Sequence, residues 1–119
     1  MKTLVIGASE NRERYSNMAI RELRKHGHEV IAVGVKKGQV EDVFIETEIP
    51  VQEKVHTISL YLNPDRQKPF YEQLLQLQPT RIIFNPGTEN ETLEQLAINS
   101  GIEVLEACTL VMLRTGQYK

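Results

Sequence analysis

The chain has one cysteine, no tryptophan and no long apolar run. A single cysteine excludes an internal disulfide, and with it the stapled scaffolds of small secreted proteins. The apolar stretches are strand-sized, far short of the roughly 18–20 residues that would span a bilayer. Lys2 leads straight into a strand pattern, and Gly7 and Ser9 interrupt any signal-peptide core. These absences predict a cytoplasmic protein with no membrane association. Neither sign of charge dominates: 14 lysines and arginines against 16 aspartates and glutamates leave a formal charge of −2. No basic stripe interleaves with aromatics, so nucleic acid is not an expected partner. The three histidines, at positions 26, 28 and 56, form no cluster of metal-ligand spacing. At 119 residues there is room for one hydrophobic core and not two, so a single domain over residues 1–119 is expected.

What is present begins at Thr3-Leu-Val-Ile-Gly-Ala-Ser9, which reads as a buried strand running into a glycine turn. A helical pattern follows from about Ser16 to His26. Strand, tight turn and helix in that order put backbone N–H groups where a phosphate can sit. The next strand, Glu29–Val33, is followed by Gly34-Val35-Lys36-Lys37 and not by an acid. In a dinucleotide-binding unit an acid at that position takes a ribose hydroxyl, whereas a cation accommodates a phosphate. The pattern points to coenzyme A or NADP over NAD.

Local punctuation places the other elements. Ser16 reads as the N-cap of the first helix, and Gly27 closes it. Residues 36–54 are irregular apart from a short strand at Val43–Ile45. A strand over Thr57–Leu62 leads to Asn63-Pro64, a cap followed by proline at the first helical position. Phe70, Leu74 and Leu77 mark the face of that helix, and Pro79 ends it. Arg81–Phe84 is a strand. Thr88-Glu-Asn-Glu91 fits a capping box for a helix that Gly101 terminates. Glu103–Leu105 is the last strand, and Thr109–Arg114 a short final helix. Strands alternating with helices predict an α/β, Rossmann-like, doubly wound and mostly parallel sheet of five or six strands.

Ligands of such folds bind beyond the carboxyl ends of the strands. Those ends hold Gly7-Ala8-Ser9, Val35 to Lys37, Tyr61 to Asn63, Asn85 to Thr88, and Glu106 to Cys108; the amino ends hold the histidines. Gly7 is demanded by the turn, and its context adds a nucleotide role. Ser9 either donates to a phosphate or caps the turn. Arg14, Lys36 and Lys37 are the candidate phosphate cations, Arg for bidentate contact and Lys as a point charge. The alternative for each is a solvated loop charge. Capping accounts for Ser16, whereas the side chain of Asn17 is expected to reach the crevice. Tyr61 either stacks on adenine or packs as core. Asn63, Asn85 and Gly87 belong to turns at strand ends, within ligand reach. Cys108 reads as a small buried residue lining the site, with no cation visible to activate it. Glu106 is a carboxylate without an identifiable partner.

Taken together, Val5-Ile-Gly-Ala-Ser9, Arg14-Tyr-Ser-Asn17, Gly27-His-Glu-Val-Ile31, Asn63-Pro64, Asn85-Pro-Gly-Thr-Glu-Asn90 and Glu106-Ala-Cys108 are similar in order and spacing to one family. The chain resembles, over nearly its whole length, the small stand-alone CoA-binding domain family. That family shares its fold with the amino-terminal part of the succinyl-CoA ligase alpha subunit. Three places depart from its pattern: Val33-Gly34-Val35 replaces Val-Asn-Pro, Leu62 and Asn63 stand where arginines precede the proline, and Asn85-Pro-Gly87 replaces Gln-Leu-Gly. The resemblance implies a non-catalytic binding module for coenzyme A or an acyl-CoA, with a sensing or regulatory role. A homodimer or a protein partner stays open. The same loop and lysines would serve a small NADP-dependent enzyme or redox sensor, and a degenerate site acting as a scaffold is the third reading.

Overall fold

Strands that are apolar on both faces need helices on both sides. Three strands meet that description: β1 (Lys2–Ile6), β5 (Thr57–Leu60) and β6 (Arg81–Phe84) are buried along nearly their whole length. In the computed structural model, which describes residues 1–119, they form the centre of a seven-stranded sheet. The strand order is β3-β4-β2-β1-β5-β6-β7, with β2 at Glu29–Val33, β3 at Gly38–Val40, β4 at Val43–Glu46 and β7 at Glu103–Glu106. Every pairing is parallel except β3 with β4. The chain winds outward from β1 through β2 on one side and through β5 on the other. The switch point therefore lies beside β1, at the end of the glycine turn.

Alternate side chains of β1 face opposite layers. Leu4 and Ile6 join Leu74 of α3 (Tyr71–Gln76), Leu77 just after it, and Leu93 and Ala97 of α4 (Glu91–Asn99). Val5 faces Ile20 and Leu23 of α1 (Tyr15–Lys25) and Leu113 of α5 (Thr109–Arg114). The doubly wound α/β architecture is thus the expected one, with one strand more than the five or six anticipated. The extra strand is β3, whose hairpin turns at Glu41, a residue with φ of 53°. No glycine or asparagine announces that turn. Instead, Arg24 of α1 holds the turn residue Asp42 through two hydrogen bonds of 2.9 and 2.7 Å.

Three local readings change. Ser16 is not the cap of α1: Arg14 occupies that position with extended backbone and no side-chain bond, and Ser16 lies one residue inside the helix, buried. Thr88 does not cap α4. Asn90 does, accepting from the Leu93 N–H at 3.2 Å, while Glu94 accepts from the Asn90 N–H at 3.1 Å. The helix after Asn63 is broken. It runs as α2 (Pro64–Gln67), a 3₁₀ turn at Lys68–Phe70 and then α3, because Pro69 has no N–H to continue the ladder.

Candidate functional site

The β1–α1 loop is shaped by two close approaches. Gly7 has φ of +99°, and a Cβ on it would lie 3.0 Å from the Tyr61 carbonyl carbon. Only glycine meets both demands. Gly34, where the family pattern has asparagine, leaves room for the loop: a Cβ there would overlap the Ala8 carbonyl oxygen. The Gly7 and Ala8 N–H groups both donate to the Val33 carbonyl, at 2.8 and 2.9 Å. These two amides tie the loop to β2 and do not point at a ligand, contrary to the simple phosphate-cradle expectation. Unengaged donors stand further along, at the start of α1. The first bond of α1 is Met18 N–H to Arg14 carbonyl, so the N–H groups of Tyr15, Ser16 and Asn17 have no intrahelical acceptor and no side-chain cap.

In front of that helix end lies a groove made of adjoining cavities. One, of about 340 Å³, is walled by the loop from Gly7 to Asn11, by Arg14, and by Lys36, Lys37 and Arg66. A second, also about 340 Å³, shares Gly7, Arg14, Tyr61 and Arg66 and extends past Ser16 to Asn63 and Gly87. A third, about 450 Å³, lies between the end of β2 and the 3₁₀ turn, with Val35, Leu62 and Phe70 on its walls. A fourth, about 300 Å³, opens beyond Tyr61 toward Asn85, Cys108 and α5. Gly7, Ala8, Ser9, Arg14, Ser16, Lys36, Tyr61, Asn63 and Gly87 therefore come together on this groove, with Cys108, half-buried, at its far end.

Two expected residues do other work. Asn17 is buried, and its amide donates to the Ser9 carbonyl at 2.9 Å while accepting from Arg21 Nε at 2.8 Å. Because α1 starts at Tyr15, the Asn17 side chain turns behind the loop and braces it, and it does not reach the crevice. Asn85 is also buried. Its Nδ2 donates to Ser59 Oγ and the Leu60 carbonyl, at 2.9 and 2.8 Å, and its Oδ1 accepts from the Thr109 N–H at 2.8 Å. Asn85 borders the fourth cavity with its hydrogen-bonding capacity already engaged in joining β5, β6 and α5. Tyr61 is neither simple core nor an open stacking platform: its ring divides three cavities. Its hydroxyl is buried near Ser59 and Thr109 without a hydrogen bond of normal geometry, and burial pushes the phenol pKa up.

Arg66, which is not among the expected site residues, also stands on the groove. It is exposed, borders three of the four cavities, and its guanidinium makes no ion pair or hydrogen bond. Arg66 is the third residue of the four-residue α2, next to Asp65, and nothing in its spacing sets it apart from a solvated surface arginine. Glu10 also went unnoticed; its carboxylate accepts from the Gln39 N–H at 2.9 Å and pins the loop to β3.

The groove is cationic. Arg14, Lys36, Lys37 and Arg66 stand on it, with Lys37 within 3.9 Å of Glu46 at an exposed edge. Glu106, expected to stand alone, has a neighbour: burial first, and then the Glu106 carboxylate, raises the pKa of Glu94. The histidines lie at the opposite end of the sheet. His28 and His56 both have lowered pKa values, caused mainly by burial. No group of three or more His, Cys, Asp or Glu side chains is placed to hold a metal ion, and no helix is long and apolar enough to cross a membrane.

The chain is similar in structure to an uncharacterized protein known from a crystal, at 50% sequence identity and a TM-score of 0.95, over 98% of this chain and 97% of that one. A protein from Thermus thermophilus superposes with a TM-score of 0.87 at 19% identity, over 98% of this chain and 90% of the other. The dinucleotide-forming acetyl-coenzyme A synthetase 1 of Ca. Korarchaeum cryptofilum superposes with a TM-score of 0.71 at 18% identity, over 89% of this chain and 25% of that chain. The last two likenesses show the fold alone. No curated protein matches the chain. The sequence matches the CoA binding domain family across residues 1–114, glycine turn, both lysines and the Asn63-Pro64 start included, and the chain belongs to that family.

Proposed function

We propose that this chain is a non-catalytic binding module for coenzyme A or an acyl-CoA. One observation carries the reading: four cations, Arg14, Lys36, Lys37 and Arg66, border a single groove in front of the unengaged N–H groups of α1. A helix start with convergent cations suits a polyphosphate. In this reading the diphosphate lies between Arg14 and Arg66, and the 3′-phosphate meets Lys36. The adenine enters the slot of about 450 Å³ beside Leu62 and Phe70, and Tyr61 is not its stacking partner. Arg66 takes the part of the arginines that the family pattern carries at positions 62 and 63. The helix start moves the cation three residues along the chain while keeping it on the same groove.

The reading is non-catalytic for a geometric reason. A general base must come within hydrogen-bond reach of its proton, and all three histidines lie at the other end of the sheet. The reactive side chains on the groove are Glu10, whose carboxylate already accepts from the Gln39 N–H, and Cys108 at the far end. Such a module would report acyl-CoA levels or lend its site to another protein. The test is a melting-temperature panel with coenzyme A, dephospho-coenzyme A, NADP and NAD, since a ligand of the native state raises the melting temperature by mass action. Coenzyme A is expected to give the largest rise and dephospho-coenzyme A a smaller one. A larger rise with NADP would replace this reading with a dinucleotide one. Acyl transfer to Cys108, seen by mass spectrometry, would make the protein an enzyme.

A further inference from the structure

We infer that the thiol end of the ligand carries an apolar acyl chain, received by the cavity beside Cys108. The inference rests on the coenzyme A reading above and adds the class of thioester. The groove changes character along its length. Toward β2 it carries the cations and, between the end of β2 and the 3₁₀ turn, the slot of Leu62 and Phe70 already assigned to adenine. Beyond Tyr61, toward β7, its walls are mostly apolar: Tyr15, Pro86, Leu110 and Val111, with Cys108 among them, Asn85 at the base and Arg114 the one charged side chain on the wall. Tyr15, Tyr61 and Pro86 border both this cavity and the one at the helix start, so the two adjoin across the Tyr61 ring. A single elongated ligand held by its phosphates at α1 would end against this wall.

The wall itself calls for an apolar occupant. Tyr15 is 70% exposed and Val111 54% exposed, so neither contributes to the folded core. An exposed apolar pair at the rim of a concave site is surface that a ligand covers. A free thiol is too small to cover it. A chain of several methylenes would, gaining about fourfold in affinity for each one fully buried. The cavity of about 300 Å³ sets the limit, and methylenes beyond it remain in water and add nothing.

The experiment is calorimetric titration of coenzyme A and its acetyl, butyryl, hexanoyl and decanoyl thioesters into the wild-type protein and Val111→Glu. Val111 is the third residue of α5, where an acid favours the helix, so the variant keeps its fold, as its melting curve checks. The expected result is a Kd that falls about two- to fourfold per methylene and then levels off. In Val111→Glu the chain-length dependence disappears, while the Kd for coenzyme A itself stays within about twofold. Equal affinity from coenzyme A to the hexanoyl thioester overturns the inference and leaves the coenzyme A reading standing. So does a Val111→Glu variant that weakens coenzyme A and all thioesters alike. Failure of every compound to bind overturns both.

Discussion

The two ends of the sheet each carry arginine and tyrosine, and use them in opposite ways. At the amino end, Arg81 is buried, its Nε donates to Thr57 Oγ1 at 2.9 Å, and its guanidinium lies 4.6 Å from the centre of the Tyr118 ring. Tyr118 in turn hydrogen-bonds Thr3 through its hydroxyl and meets the His28 ring edge-on at 5.1 Å. Here a cation is consumed in packing: the chain's last turn is clamped onto the start of β1. At the carboxyl end, Arg14 and Arg66 face open space, and Tyr61 separates cavities instead of filling one. The same residue types therefore pack into the fold at one end, where even the Arg81 Nη2 that finds no hydrogen bond is buried, and stand open to a ligand at the other.

Substitutions at the two ends should separate stability from affinity. The largest effect is expected for Tyr118→Ala, which empties a buried aromatic site and uncovers Arg81. A loss of about 3–5 kcal/mol of folding stability follows from removing such a ring, read from urea unfolding. Affinity for coenzyme A should stay the same under conditions where the variant is folded. A parallel loss of affinity would mean that the two ends are coupled.

Next comes Arg66→Ala, which should weaken coenzyme A binding by about 1.5–3 kcal/mol if the guanidinium makes a charge-assisted bond to phosphate. Its effect on stability should be small, because the exposed guanidinium makes no ion pair or hydrogen bond within the chain, so the melting temperature without ligand should hold. A melting temperature that drops instead would make Arg66 a packing residue like Arg81. Lys36→Ala should cost less than Arg66→Ala and should remove the preference for coenzyme A over its dephospho form. A preference that survives the substitution moves the 3′-phosphate elsewhere.

How much of this could be read from the sequence depends on how local each cause is. The strands β2 and β6 and the helix α5 stand where the apolar runs and the Gly and Pro signals place them. Asn63 caps α2 as read, because a cap and a following proline are adjacent residues. The misses all have distant causes. The strand β3 is three residues long and exists because Glu10 and Arg24, far away in sequence, hold its hairpin. The amides of Gly7 and Ala8 look free for a phosphate until the carbonyl of Val33 is placed beside them. The sequence pattern puts the cap of α1 at Ser16, two residues past the actual cap Arg14, and about 100° of rotation per residue decides which way the Asn17 side chain points. Arg66 joins the groove only once the ends of β1, β2 and β5 stand beside α2, which is again a cause distant in sequence.

The smallest effect is a pH dependence confined to the amino end. His28 is held below its ordinary pKa first by burial and then by the N-terminal ammonium, and His56 first by burial and then by Arg81. The unfolded chain takes up protons at these sites near the ordinary value of 6.5, whereas the folded chain resists until lower pH. Between those two values the unfolded state binds more protons, so stability falls as pH falls. The contribution is fully present above 6.5 and is lost through the lowered folded-state values. The measurement is the melting temperature between pH 7.5 and 5, in wild type and in His28→Gln/His56→Gln. Carboxylates such as Asp42, whose pKa Arg24 holds down, titrate below that window and are common to both proteins. The difference between the two curves therefore belongs to the histidines, and the double variant should show the shallower slope. Identical slopes would assign the acid sensitivity to groups outside the amino-end clamp.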